Sequence, residues 1–377
     1  MRRAVCSVLT MAVTAIVVTA AAEPTKDYLW RLPSWLPAPS VPRDNPMSDA
    51  KVELGRRLFY DKRLSLDGTM SCATCHEQAR AFTDGRTTSL GVSGEQHPRN
   101  AMSLANAGYL PVLTWSNPLL VRLEHQALVP MFGERPAEMG LAGREDELFA
   151  RLRQDSAYAA LFQRAFPDMA GVVDLGTITK ALAAFQRTLV SANSPYDRYR
   201  YGGKDNAISP AAKRGEALFF SERLECFHCH GGVHLTDNLV HSRKPFAEYA
   251  FHSTGLYNLD GRGAYPPENI GLKEHTGRTE DMGRFRTPSL RNVELTAPYM
   301  HDGSVATLEE VIDHYASGGR ARGPQTSSFL PGFSLNDAER HDLVAFLKSL
   351  TDLEFISDPR FANPWTDGSP SGAERSK

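Results

Sequence analysis

The stretch that most constrains this chain is Cys72-Ala73-Thr74-Cys75-His76, which returns as Cys226-Phe227-His228-Cys229-His230 about 150 residues later. C-x-x-C-H is the attachment signature of a c-type haem. Each cysteine sulfur can form a thioether to a haem vinyl group, and the adjoining His76 or His230 is then held beneath the iron as proximal ligand. A redox dithiol or a zinc half-site could use one such match. Zinc gives no reason for a histidine directly after both pairs, and the two matches consume every cysteine except Cys6. The residues point to two covalently bound c-type haems.

Where those haems would be attached follows from the N-terminus. Arg2 and Arg3 precede an apolar run over residues 5–18, and Ala20-Ala21-Ala22 offers a small-residue cleavage site before Glu23. This is the pattern of a secretory signal peptide over residues 1–22. The run is shorter than the ~20 residues a spanning helix needs, so no membrane span is expected after cleavage. Cys6 leaves with the signal, and no cysteine is left to build a disulfide. Because c-type haem is attached outside the bacterial cytoplasm, a periplasmic protein is expected. The chain's 377 residues, 41% of them hydrophobic, suffice for one or two domains with real cores. A net charge of −2 gives no case for nucleic acid or an acidic membrane surface.

Residues 23–46 hold six prolines together with Trp30 and Trp35. Such density forbids a long helix, leaving a disordered leader or an arm packed on the body by its tryptophans. Ser48 can cap a helix through Val52, Leu54, Leu58 and Phe59. The first haem motif follows in polar, glycine-containing sequence. Residues 81–118 read as loops with a short helical stretch near 102–107. Apolar residues recur at helical spacing over 119–130, 145–166 and 178–190. A linker rich in tyrosine, glycine and aspartate (194–205) then divides the chain.

The second half repeats the first in outline: "GRRLFYDKRLS…CATCH" is answered by "GEALFFSERLECFHCH". Ser209 caps a helix over 210–220, in which Gly215, Leu218 and Phe219 echo Gly55, Leu58 and Phe59. A long loop (231–283) leads to helical stretches over 307–315 and 336–350. The polar end, 355–377, has the composition of a disordered tail. Strand signals are few. The expectation is an all-α protein of two cytochrome-c-like haem domains with long loops, at 47–205 and 206–354.

With "MSCATCH" and "RTPSLRNVELTAPYMHDGSVATLEEVIDHY" (286–315), these motifs resemble the bacterial di-haem cytochrome c peroxidase and MauG superfamily over nearly all of residues 43–352. "LTWSNPLL" (113–120), "QALVPMFGE" (126–134), "SPYDRYRYGG" (194–203) and "ERLECFHCHGG" (222–232) are most similar to the MbnH branch, the methanobactin-associated di-haem enzymes. The resemblance implies a first haem on His76, open to hydrogen peroxide, and a six-coordinate second haem on His230. In the peroxidases a methionine lies a fixed interval after the histidine of the PY-x-H motif, and in MauG a tyrosine does. Counting from His301, that place is Tyr315. A thioether is soft and favours ferrous iron, whereas a phenolate is hard, anionic and favours ferric and higher-valent iron. Tyr315 thus suits a haem that holds an oxidising equivalent. Neighbouring His314 is a rival ligand, but on a helix it would point roughly 100° away.

The resemblance also implies roles around the first haem. Gln126, Pro130 and Glu138 match the distal-pocket residues, with Glu138 moving a proton between the two peroxide oxygens. One residue is inserted between Trp115 and Gln126 and two between Gln126 and Glu138, which makes Glu134 a secondary candidate. Trp115 matches the tryptophan between the haems. Asn100, Thr296 and Pro298 match oxygen ligands of an inter-haem calcium ion. His301 is expected on a haem propionate or in the calcium shell. His228 is expected exposed at the haem edge, and His97 on the surface, leaving the first haem open. His234, His241, His252 and His275 have no spacing that specifies a site.

The function implied is a periplasmic di-haem oxidase that uses hydrogen peroxide to form a high-valent di-haem state and oxidises a side chain of a partner protein. For the MbnH branch the implied partner is a periplasmic copper-binding protein and the implied target a tryptophan. Two alternatives stand beside it: a cytochrome c peroxidase fed by a small cytochrome, and an electron carrier with both haems closed. Copper binding by this chain has no support in its scattered Met and His residues.

Overall fold

The structure, a computed structural model, describes residues 28–244, 246 and 249–365; the expected signal peptide lies outside them. The chain is all-α in character. In order come α1 (Asp49–Tyr60), α2 (Cys72–Cys75), α3 (Leu123–Gln126), α4 (Leu128–Phe132), α5 (Glu145–Arg153), α6 (Ser156–Ala165), α7 (Leu175–Thr188), α8 (Pro195–Arg200), α9 (Pro210–Phe219), α10 (Lys273–Thr276), α11 (Leu308–Ala316) and α12 (Asp337–Lys348). Among the described residues the strands are β1 (Phe251–His252) and β2 (Phe285–Arg286), one short antiparallel ladder.

Local chemistry sets many of the helix starts. Ser48 accepts from the Lys51 amide, Ser209 from Ala212, Thr307 from Glu310 and Asn336 from Glu339, each satisfying an amide that has no partner within its helix. Asp174 and Asp155 do the same for α7 and α6. Longer-range packing then breaks some expected helices. The stretch 145–166 divides into α5 and α6, where Asp155 caps a fresh start, and 119–130 divides into α3 and α4. Near 102–107 there is only a 3₁₀ turn, at Ala107–Tyr109.

Each half is built on one close helix pair. In the first, α1 lies on α7, and in the second α9 lies on α12. A Cβ on Gly55 would stand 1.9 Å from the Ala181 carbonyl oxygen, and one on Gly215 would stand 1.9 Å from that of Asp342. The phenyl rings behind them repeat as well: Phe59 to Phe185 is 5.3 Å, and Phe219 to Phe346 is 5.1 Å. The sequence echo is therefore a structural repeat, in which glycine lets two helix backbones touch and phenylalanines fill the space beside them.

Two apolar cores result. One gathers Leu54, Leu58, Phe82, Met131, Phe162 and Phe185; the other gathers Phe219, Leu235, Ile312, Leu343 and Phe346. The expected disordered tail is corrected in its first part: Phe355 and Phe361 are buried in the first core, and Trp365 donates to the Arg57 carbonyl. Burial of these rings, together with Tyr60 donating to the Phe361 carbonyl and Gln78 to those of Phe355 and Asp358, offsets the entropy of ordering the segment.

The arm resolves in favour of packing. Leu36 is buried, Trp35 stacks on Tyr201 at 4.2 Å, and Pro37 accepts from the Tyr109 hydroxyl. The expected linker is likewise no free spacer. It contains α8, whose Asp197 forms a buried ion pair with Arg291 at 2.7 Å. Beside it, Asp352 accepts from Ser191 Oγ and the amides of Ala192 and Asn193, binding the two halves through backbone groups.

Candidate active site

Both C-x-x-C-H motifs form short helical turns closed by the histidine itself. The His76 amide donates to the Cys72 carbonyl at 3.1 Å, and the His230 amide to that of Cys226 at 3.0 Å. Each imidazole then lies with Nδ1 against a backbone carbonyl, His76 on Phe82 at 2.8 Å and His230 on Leu235 at 3.0 Å. Donation from Nδ1 leaves Nε2 unprotonated, which is the tautomer a metal-ligating histidine needs. Burial lowers the pKa of both rings and keeps them neutral. Burial also pushes the Cys72 and Cys226 thiols up to about 12 and Cys75 to about 11, so these are not activated redox dithiols. Among the described residues no ligand cluster joins the two cysteine pairs, which removes the shared-zinc reading. The residues fit haem.

A cavity of about 240 Å³ adjoins the second motif, lined by Cys226, Cys229, His230, Tyr315 and His301 and reaching Trp115. Tyr315 sits one place after His314 on α11. The His314 Nε2 is taken up by the Thr254 carbonyl at 2.9 Å, and of the two neighbours it is Tyr315 that lines the cavity. Burial raises the phenol's pKa, followed by smaller contributions from Cys229 and Cys226.

His301 is 5% exposed and stacks on Phe285 at 3.7 Å. Its Nε2 is buried with no hydrogen-bond partner among the described residues, and burial takes its pKa down to about 4. An unpaired donor or acceptor so placed fits a polar group of a bound ligand.

Arg286 was not singled out by the sequence. It is 2% exposed, its guanidinium has no carboxylate within ion-pair distance among the described residues, with Asp237 acting on it only through space, and it bonds the Thr114 and Thr287 carbonyls and the Met102 sulfur. Burial lowers its pKa to about 10. A buried cation lacking an anion, on the wall of this cavity, is suited to a ligand carboxylate. His252 was also unassigned; it pairs with Asp237 at 2.6 Å beside Cys229.

On the wall of this cavity, Trp115 donates its indole N–H to the Asn100 carbonyl at 2.9 Å. The Asn100 amide nitrogen is engaged by Arg86 and Thr87 carbonyls, which turns Oδ1 free. Asn100, Thr296 and Pro298 all line the same cavity, and the carbonyls of Thr296 and Pro298 accept no hydrogen bond from described residues. Uncommitted oxygens of this kind fit a hard cation such as calcium.

Around the first motif, Gln126 ends α3 and Pro130 lies within α4. The Met139 amide donates to the Pro130 carbonyl at 2.9 Å and Leu141 to Met131 at 3.0 Å, so the inserted stretch turns back and sets Glu138 beside Pro130. Partial burial raises the Glu138 pKa, and its charge in turn raises the Cys72 and Cys75 thiols slightly. Glu134 is exposed on the turn. His97, expected on the surface, is partly exposed there, with Nε2 3.7 Å from Glu138 Oε1. His228 is exposed as expected, stacked between Phe227 and Phe329.

Among the described residues no helix is long and apolar enough to cross a membrane. Residues 49–206 match the family model described as di-haem cytochrome c peroxidase. The chain is 37% identical over 323 residues to the methylamine utilization protein MauG of Methylophilus methylotrophus, covering 85% of this chain and 87% of that one. It is 36% identical to a cytochrome c peroxidase of Denitromonas iodatirespirans, covering 92% and 94%. Among solved structures it is similar to a MauG-like protein associated with microbial copper homeostasis, at 51% identity and a TM-score of 0.87, covering 90% of this chain and 99% of that one. The paired haem-attachment turns and these likenesses agree: the chain belongs to the di-haem cytochrome c peroxidase and MauG family, as an oxidoreductase with two c-type haems.

Proposed function

We propose that this protein is a MauG-type oxidase that uses hydrogen peroxide to oxidise a side chain, a tryptophan, on a periplasmic partner protein. The observation that carries this reading is Tyr315, the phenol presented to the second haem cavity in place of a thioether. His76 and His230, with their cysteines, are the residues that would hold the two haems. When bound, these supply the iron that meets peroxide and the capacity to store two oxidising equivalents.

The chain's own groups divide the remaining work. Glu138, half-buried and with its pKa raised by desolvation, accepts a proton from one peroxide oxygen and returns it to the other, which leaves as water. Gln126 and Pro130 shape that pocket. Trp115, fixed by the Asn100 carbonyl, lies between the two motifs where an indole can relay an electron hole. Asn100, Thr296 and Pro298 would hold calcium at the same junction, and His301 a haem propionate. A copper-binding partner is supported by the likeness to the copper-associated MauG-like protein, and export by the N-terminal signal pattern.

The test is peroxide added to the fully ferric protein without reductant, followed optically and by Mössbauer spectroscopy. A persistent change at both irons supports the reading. Reactivity only after one haem is reduced would overturn it in favour of a peroxidase fed by a small cytochrome, the activity named for the relative at 36% identity.

A further inference from the structure

We infer that His97 is a positioning residue for peroxide cleavage, its imidazole governing the charge of Glu138 beside the first haem motif. The inference rests on the reading of Glu138 given above. Its basis is a built contact between two loops. Residues 89–97 close on themselves, with the His97 amide donating to the Ser89 carbonyl at 2.8 Å and Gly91 to Glu95 at 2.9 Å. The same loop grips the backbone of the acid, since the Val92 amide donates to the Glu138 carbonyl at 2.7 Å. The approach is so close that a Cβ on Gly91 would stand 2.3 Å from the Ala137 carbonyl oxygen. One loop thus holds Glu138 by its main chain and faces it with an imidazole.

The ring is mounted to change charge without turning. His97 Nδ1 lies 3.0 Å from both the amide nitrogen and the carbonyl oxygen of Arg99. When the ring is neutral, Nδ1 accepts from that amide and the proton sits on Nε2, toward Glu138. When the ring is protonated, Nδ1 donates to that carbonyl and the cation stays in the same place. At 3.7 Å the Nε2–Oε1 contact is an ion-pair distance rather than a direct hydrogen bond.

Other charges do not compete for the acid. Cys72 and Cys75, once bound to haem as thioethers, carry no ionisable proton. The Arg99 guanidinium is turned away onto Glu274 at 2.6 Å. Burial favours the protonated carboxyl, and His97 is the group that opposes it. The proton bookkeeping is closed: an imidazolium keeps Glu138 ionised and ready to take the first peroxide proton, whereas a neutral ring leaves the acid protonated to a higher pH.

The experiment uses the haem-loaded full chain. The carboxyl band of Glu138, identified by its loss in Glu138→Gln, is titrated by difference infrared spectroscopy in wild type, His97→Gln and His97→Lys. The acid limb of the peroxide reaction is followed in parallel. His97→Gln should raise the midpoint of both by about one pH unit, and His97→Lys, which keeps a cation, should return them to the wild-type position or below. An unchanged midpoint in His97→Gln, or the same upward shift in His97→Lys, would overturn the inference. A failure of the underlying reading looks different: Glu138→Gln would react with peroxide as wild type does, and the catalytic part of the inference would fall with it.

Discussion

Gly55 lies directly against the backbone of Ala181, with no room for a methyl group between α1 and α7, and Gly215 repeats the relationship with Asp342. Because the obstacle is a main-chain carbonyl rather than a flexible side chain, it cannot step aside. Gly55→Ala and Gly215→Ala should each cost about 1–3 kcal/mol or more. Thermal unfolding followed by circular dichroism measures this, and a melting point within a degree of wild type for both would contradict the helix-pair geometry.

The Asp197–Arg291 ion pair is the second point of fragility. Both side chains are 2% exposed, so removing one partner strands the other's charge away from water. Arg291→Met should destabilise by about 3–5 kcal/mol, read as a fall in the denaturant midpoint. The double variant Asp197→Leu with Arg291→Met should recover part of that loss, since no buried charge then remains.

Acid sensitivity should run through His234. Burial, then the Arg291 charge, holds its pKa well below the ordinary value, and its ring is packed on Tyr109 at 4.5 Å. The folded-state pKa is thus lower than the unfolded one, so the stability His234 contributes is complete above about pH 6.5 and declines as pH falls further. The slope is up to about 1.4 kcal/mol per pH unit. His234→Asn retains an acceptor for Arg291, and comparing its denaturation midpoints with wild type from pH 8 to 5 isolates this group. Parallel curves would show that another residue governs acid unfolding.

Replacing the phenol at the second haem should change the reaction rather than the fold. In Tyr315→Met a soft thioether takes its place, and the second haem's potential should rise, on the order of 0.1 V within the wide range that axial ligands set. Potentiometric titration reads this directly. Peroxide reactivity of the ferric protein should then require prior reduction. A potential and reactivity equal to wild type in both Tyr315→Met and Tyr315→Phe would remove Tyr315 from the iron.

Much was legible in advance because it is local. The C-x-x-C-H turns need only neighbouring residues, and Ser48, Ser209, Thr307 and Asn336 start their helices with an amide three residues on. The glycine and phenylalanine echo between the halves could be read from the chain because the same packing problem is solved twice. The interval from His301 singles out Tyr315 in the chain, and in the fold that residue lines the cavity while His314 turns to the Thr254 carbonyl.

What the tertiary structure alone decided are contacts between residues distant in the chain. His97 meets Glu138 only because two loops close against each other, and no spacing encodes that meeting. Arg286 becomes a buried cation without an anion only when the cavity forms around it. Phe355 and Phe361, in a segment whose composition reads as disordered, return to the first core because the apolar area and hydrogen bonds found there offset the entropy of ordering them. Sequence by itself determined which turns, caps and helices form, since those depend on groups within a few residues of one another. The charge states and neighbours of the site are set by burial, which exists only once the chain has folded.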